Sequence, residues 1–190
     1  MSTFLGYDFI SFFTGCWYLI RNNAIQDFQN WGKVYKVEFD LMIKKRPSTW
    51  VNAYAFHPVQ DDTVLNWLER IPALYIYTDQ LSFRSNVNGQ TSNTRNVLNN
   101  YEVGKTYKII HHQFLKNGKY WYEINIDGVS IWKVENTQPK SFPSVRFFAS
   151  DNYHNSFTSD LGSICNFKLQ SSGGQNLSTD SNIFNSALGI

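Results

Sequence analysis

Between Thr106 and Val134 the chain reads TYKIIHHQFLKNGKYWYEINIDGVSIWKV. Two Asx-Gly pairs, Asn117-Gly118 and Asp127-Gly128, divide this stretch. Such pairs accept the positive φ that a type I′ turn needs at both central positions. The residues around them are β-branched and aromatic, the types that fit a pleated, half-buried surface. The stretch therefore predicts a three-stranded antiparallel meander, and the two-residue turns set its register. Across Asn117-Gly118, Tyr120 should oppose Leu115, Trp121 should oppose Phe114 and Ile124 should oppose His111. Across Asp127-Gly128, Ile126 should oppose Val129, Ile124 should oppose Ile131 and Trp121 should oppose Val134. On that register Ile109, Tyr122, Ile124, Ile126, Val129 and Ile131 form the more aliphatic face, which is the expected core face. The opposite face carries Ile110, His112, Phe114, Trp121, Glu123, Asn125, Ser130, Trp132 and Val134. Two Trp and a Phe are not needed on a purely solvated face, so this one is expected to bind something or to be covered.

A chain of 190 residues fits one all-β domain. Aromatic residues make up 17% and charged residues 17%, which is rich in aromatics and poor in charge and leans towards a sandwich or barrel. The formal net charge of +2 supplies no basic patch of the kind nucleic acid requires. Lys44-Lys45-Arg46 is a short charge run of the kind that marks a solvated strand end. The N-terminus is apolar, but it lacks a basic region and Asp8 interrupts it, so it makes a poor signal peptide. No apolar run approaches the ~20 residues of a membrane helix, and no transmembrane segment is expected.

Taken in order, residues 1–15 form an apolar lead-in, 16–170 a β-sandwich and 171–190 a Ser/Asn/Gly-rich tail expected to be loosely docked. A first strand is expected over Cys16–Asn22, followed by turn-like residues through Asn30. Then Tyr35, Val37, Phe39, Leu41 and Ile43 alternate strictly with Lys36, Glu38, Asp40 and Met42, a strand with one buried face. Further strands are expected over 50–56, 71–77, 81–87, 144–150 and 161–169. Polar loops are expected over 57–70 and 151–160, and a loop or weak edge strand over 86–100. About eleven short strands with no helix of consequence predict a two-sheet antiparallel jelly-roll β-sandwich. Cys16 and Cys165 lie near the two ends of the β-rich region, either paired in a disulfide or buried as thiols.

WGKVYKVEFDLMI, ERIPALYIY, the GKTYKI, NGKYWYEINIDG and VENTQP segments of the meander, and the closing SVRFFASDN and LGSICNFKL carry a resemblance. Together they resemble the concanavalin A-like lectin/glucanase superfamily, in its laminin-G-like and galectin-like forms, over residues 16–170. The resemblance implies the jelly-roll fold. It is weaker for function, because that fold hosts lectins, hydrolases, adhesion modules and structural domains.

Retaining glucanases of the superfamily carry Glu-x-Asp-x-x-Glu on one strand, which the resemblance maps to Glu38, Asp40 and Ile43. Two carboxyls about 5–5.5 Å apart are needed, and Ile43 stands where the acid/base would be, so hydrolase activity is not expected. The galectin runs are absent, because His57-Pro58 lacks the following Asn and Arg and Trp31-Gly32 lacks the following Glu and Arg. Asp151, Asn152, Asn155 and Asp160 bring hard oxygen ligands into one loop, and Asp61 and Asp62 into another, which makes Ca²⁺ the one cofactor to consider. His111 and His112 are adjacent on a strand, point to opposite faces and cannot chelate together.

What remains is the aromatic face. Sugars stack on aromatic rings and bond their hydroxyls to polar neighbours, so Trp121, Trp132 and Phe114 beside His112, Glu123 and Asn125 form the expected ligand surface. The sequence thus predicts a non-catalytic recognition module, lectin-like or adhesive, extracellular or on the cell surface, with a glycan or protein ligand. The alternative is an assembly protein whose aromatic face and termini pack on partner subunits in a homo- or hetero-oligomer. A glycoside hydrolase comes third.

Overall fold

A computed structural model describes residues 9–17, 24–60, 64–65, 69–150, 154–172 and 175–176. Among these residues lie fifteen strands. In chain order they are β1 (Phe9–Trp17), β2 (Ala24–Trp31), β3 (Tyr35–Ile43), β4 (Val51–Gln60), β5 (Val64–Leu65), β6 (Ala73–Ile76) and β7 (Leu81–Val87). Then come β8 (Gln90–Val97), β9 (Thr106–Lys116), β10 (Lys119–Ile126), β11 (Val129–Glu135), β12 (Phe142–Phe148), β13 (Asn155–Ser156), β14 (Gly162–Ser171) and β15 (Gln175–Asn176). One sheet has six strands in the order β1-β14-β3-β9-β10-β11. The other has nine, running β15-β2-β12-β4-β6-β7-β8, with β5 and β13 attached to β4. Every pairing is antiparallel except β13 with β4. The chain is an all-β, two-sheet sandwich of jelly-roll type, the fold class its sequence predicts.

The meander forms as its turns require. Asn117 and Gly118 sit at φ 53° and 73°, Asp127 and Gly128 at 52° and 80°. These positive values are the reason for Asx followed by Gly at each position. A third turn of the same kind, Asn88-Gly89 at φ 54° and 76°, joins β7 to β8.

The two sheets meet through aromatic rings. Phe56 on β4 stacks on Phe147 of β12, with centroids 4.5 Å apart and planes at 10°. Phe147 stacks on Phe167 of β14 at 5.1 Å, and Phe167 on Phe39 of β3 at 5.7 Å. All four rings are buried. Aromatic pairs of this kind add roughly 0.5–1.5 kcal/mol each beyond the area they bury. β3 shows the expected strict alternation of buried and half-buried positions.

Tertiary pairing moves several local boundaries. The first strand runs from Phe9 to Trp17 rather than from Cys16, because the long β14 pairs with it from Phe9↔Ser171 to Trp17↔Ile164. Asp27–Asn30, turn-like in composition, lies within β2, where Asp27 faces Arg146 across β12. His57 to Gln60 continues β4 instead of opening a loop. Gln90–Val97 is an edge strand. β14 extends to Ser171, and β15 pairs with β2 inside the stretch expected to be a loose tail.

The largest departure is in β11. A bulge between Ile124 and Asn125 shifts the pairing so that Ile124 opposes Trp132 and Tyr122 opposes Val134. One extra residue exchanges the two faces of a strand. Ile131, the extra residue, expected in the core, is therefore 38% exposed; Val129, expected there too, keeps its expected partner Ile126 at the end of the edge strand, yet is 60% exposed. Trp132 and Val134, expected outside, pack against the core instead.

Candidate functional site

The outer face of the six-stranded sheet is built in cross-strand rows. Lys36, His112, Glu123 and Lys133 follow one another across β3, β9, β10 and β11. Phe114, Trp121 and Glu135 make the next row, and Glu38, Ile110, Asn125 and Ser130 the row on the other side. Directly opposed residues in a sheet lie within side-chain contact, so the register alone gathers these groups.

Their contacts are specific. His112 Nε2 lies 3.3 Å from Glu123 Oε2 and 3.4 Å from Asn125 Nδ2. Lys133 Nζ is 3.5 Å from the same Glu123 oxygen. It also lies 5.0 Å above the Phe114 ring centroid and 5.7 Å from that of Trp121. The His112 and Phe114 rings are 4.8 Å apart. Phe114, Trp121, His112 and Asn125 are all half-buried. Burial works against the charge of Glu123, but the Ser130 hydroxyl, Lys133 and His112 outweigh it and hold the carboxyl below its ordinary range. Burial, opposed in part by Glu123, pulls His112 below the ordinary histidine value, so the imidazole is neutral at pH 7. The result is two rings edged by an anion, a neutral imidazole and an amide, which together offer both donors and acceptors.

Of the six expected ligand residues, the register brings five together: Phe114, Trp121, His112, Glu123 and Asn125. Trp132 is corrected. The bulge turns it to the inner side, where its ring meets Tyr122 edge-on at 5.3 Å and the Arg95 guanidinium carbon lies 5.9 Å from its centroid.

Glu38 also faces outward, 2.6 Å from Lys36 Nζ and 3.1 Å from Lys108 Nζ. Burial opposes its ionisation, yet these two lysines hold its carboxyl below the ordinary value. Asp40 accepts a hydrogen bond from Asn166 Nδ2 at 2.7 Å. Ile43 is fully buried. Of the calcium candidates, Asp151 and Asn152, like Asp61 and Asp62, lie outside the described residues. Asp160 is exposed and accepts a hydrogen bond from Thr158 Oγ1. Among the described residues no three of His, Cys, Asp and Glu stand together as an ion site. Cys16 and Cys165 face each other across β1 and β14 and are joined as a disulfide. Among the described residues no helix is long and apolar enough to cross a membrane.

A second polar group lies on the outer face of the nine-stranded sheet, and sequence reasoning missed it. Arg70 Nε donates to Tyr75 Oη at 2.7 Å, and the Arg84 guanidinium sits 4.3 Å from the centroid of the same ring. His57 Nδ1 lies 3.1 Å from the Glu69 carbonyl. Glu69 Oε1 accepts from Lys140 Nζ at 2.8 Å and from Asn86 Nδ2. The signal was available in β7, where Ser82, Arg84 and Asn86 alternate with Leu81, Phe83 and Ser85.

No protein-family model matches the chain, and no curated protein matches it. Solved structures do. The receptor binding domain of botulinum neurotoxin D aligns with TM-score 0.51 and 11% identity over 95% of this chain and 43% of its own. Trypanosoma rangeli sialidase in complex with sialic acid aligns with TM-score 0.50 and 11% identity over 82% of this chain and 23% of its own. The family 7 alginate lyase A1-II′ aligns with TM-score 0.46 and 13% identity over 77% and 63%. The chain thus spans less than two thirds of each of these structures. The likeness is one of fold, all-β and sandwich-like. It also brings a correction: part of the sialidase, an enzyme, shares this fold, and the expectation of a chain without enzymatic activity is withdrawn on that finding.

Proposed function

We propose that this chain is a recognition module that binds carbohydrate on the outer face of its six-stranded sheet. Trp121 and Phe114 act as the stacking platform. His112, Glu123 and Asn125 supply hydrogen bonds to sugar hydroxyls. The observation that carries this is the register, which sets Trp121 directly opposite Phe114 and beside the Glu123–His112 pair. Half-buried rings with fixed polar groups at their edge are what a pyranose needs for stacking and orientation. The receptor binding domain that shares the fold lends support of a general kind. The Cys16–Cys165 disulfide supports an oxidising, extracellular setting.

The test is a glycan array probed with wild type and Trp121→Ala, with and without calcium. Binding that is lost in the variant supports the assignment. Calcium dependence brings in the loop of Asp151, Asn152 and Asp160 as a metal site. Binding retained by the variant, or no binding at all, overturns it.

One observation favours a second reading, assembly. Val129 and Ile131 are exposed on β11, the edge strand of the same sheet. An edge with apolar side chains is a natural contact for another chain. Mass measured in solution, for wild type and Ile131→Lys, separates the two readings.

A further inference from the structure

On the carbohydrate reading of the outer face of the six-stranded sheet, we infer that its sugar is an acidic one, whose sulfate or carboxylate sits on a lysine pair beside the rings. The pair is Lys116 and Lys119. They flank the Asn117-Gly118 turn and oppose each other directly across β9 and β10. Phe114 and Trp121, two residues further along each strand, oppose each other in the same way. Side chains two apart on a strand share a face, so both lysines stand on the ligand face, next to the rings. Both are exposed.

Like charges directly opposite each other in a sheet are destabilising. The lysines of the neighbouring rows are compensated. Lys36 and Lys108 share Glu38, at 2.6 Å and 3.1 Å. Lys133 lies 3.5 Å from Glu123. Lys119 itself reaches Glu135 at 2.9 Å, on the β11 side and away from Lys116. Lys116 pairs with no carboxylate among the described residues, so the turn carries an uncompensated positive charge facing a second lysine.

An anion placed between the two ammonium groups removes their repulsion, so binding relieves a cost that the free chain carries. An ammonium is a point charge with three donors on a flexible stem, so the pair accepts a sulfate as well as a carboxylate. Successive rows on one face lie about 7 Å apart, two residues of strand rise, a step that one hexose with an acidic substituent spans. The three rows then divide the ligand. The pyranose stacks on Trp121 and Phe114. Its acidic group reaches over the turn to Lys116 and Lys119. Its hydroxyls meet His112 and Glu123 in the row on the other side, with Asn125 beyond.

The experiment is a calorimetric titration of the full chain with sulfated galactan, chondroitin sulfate and oligogalacturonate oligosaccharides. Each is run beside its uncharged form, made by desulfation, carboxyl reduction or both. At least one acidic sugar should bind about fivefold or more tighter than its uncharged form, and less tightly as salt rises. The form that shows the difference tells sulfate from carboxylate. Lys116→Ser with Lys119→Ser should weaken binding by about 5–30-fold, the worth of two exposed charge contacts. Lys44→Ser with Lys45→Ser, an equal change of charge just past the far end of β3, should bind like wild type, which separates a site from general attraction to a polyanion. In the free chain Lys116→Glu should raise the melting temperature by about 1–3 °C, because a like-charge pair becomes an opposite one; a lower value would show that the pair does not repel and would overturn the proposal. It is equally overturned if no acidic sugar binds, if the uncharged forms bind as well, or if the Lys116 and Lys119 double variant binds like wild type or no worse than the Lys44 and Lys45 one. Uncharged sugars that bind as well as the acidic ones and are lost in Trp121→Ala would remove the acidic class and keep the carbohydrate face. Acidic sugars held by the lysines but indifferent to Trp121→Ala would overturn both.

Discussion

Ile124 on β10 lies opposite Trp132 on β11, one residue out of step with the pairing the Asp127-Gly128 turn would set by itself. The bulge that causes this converts an apparent ligand residue into a packing residue. Trp132 meets Tyr122 and the core, while Ile131 faces outward at 38% exposure. Trp132→Ala should therefore cost about 2–4 kcal/mol, somewhat below the roughly 3–5 kcal/mol of a fully buried Trp because the indole is half-buried. Ile131→Thr should change stability by less than about 0.5 kcal/mol, as an exposed site does. Urea denaturation of both variants checks the register. A costly Ile131→Thr beside a harmless Trp132→Ala would mean that the strand pairs without the bulge.

A buried histidine gives the protein an acid-sensitive core. His111 is fully buried, with Nδ1 2.8 Å from Tyr54 Oη and Nε2 bonded to Tyr122 Oη. Burial first, and then the neighbouring His112, press its pKa well below the ordinary histidine value. The unfolded chain then binds a proton that the folded chain does not, so stability falls as the pH drops below about 6.5, by up to about 1.4 kcal/mol per pH unit for each such group. His112, lowered as well, adds to the same window. Above it both are neutral in either state and contribute no slope. Denaturation midpoints between neutral pH and the carboxylate range should show this loss, and His111→Gln should flatten it. An unchanged slope in that variant would assign the effect elsewhere.

The sheet class, the meander and its two turns could be read from sequence because each rests on local chemistry. Asx-Gly at a turn and strict alternation in β3 need no knowledge of distant partners. The β9–β10 register followed from the Asn117-Gly118 turn, and with it five of the six residues on the outer face. Trp132 could not be read, since a bulge depends on how the edge strand settles against both faces, and the turn does not encode that. β2 was hidden because Asp27, Gln29 and Asn30 look like turn residues, and only pairing with β12 makes them a strand. Asn88-Gly89 carried the same signal as the other two turns, but the Asn-rich composition around it masked a hairpin. Arg70, Arg84 and Tyr75 converge from a loop and two strands, and only the topology of the nine-stranded sheet gathers them.

The disulfide links β1 to β14 over a sequence separation of 149 residues. In the chain-entropy account, closing a loop of that size removes up to about 5 kcal/mol of freedom from the unfolded chain. Cys16 is exposed, so the bond is open to reductant. Cys165→Ser should lower stability by about 3–5 kcal/mol, and wild type in reductant should match it. Thermal unfolding with and without reductant is the measurement. A wild type indifferent to reductant, with a variant as stable, would mean that pairing along β1 and β14 holds the edge without the bond.

Asn136, just past β11, is the polar joint between the two sheets. It is 2% exposed. Its Nδ2 donates to Gln113 Oε1 on β9 at 2.6 Å and to the Asn86 carbonyl on β7 at 3.3 Å. Its Oδ1 accepts from the amide of Asn88 at 2.8 Å and that of Gln138 at 3.2 Å. Gln113 in turn donates to the Lys33 carbonyl at 2.6 Å. Asn136→Ala leaves a buried amide oxygen on Gln113 without its partner, while the N–H of the exposed Asn88 can turn to water. The buried orphan costs about 1–3 kcal/mol, and a loss of that size is expected. Asn136→Asp keeps the acceptor for Asn88 but turns a carboxylate oxygen towards Gln113 Oε1, so it should fail to rescue stability at neutral pH. Hydrogen exchange distinguishes a local joint from a general loss. In Asn136→Ala the amides of Asn88 and Thr137 should exchange faster while those of β3 and β14 keep their protection relative to the global stability. Uniform loss of protection would show that Asn136 matters only as packed volume.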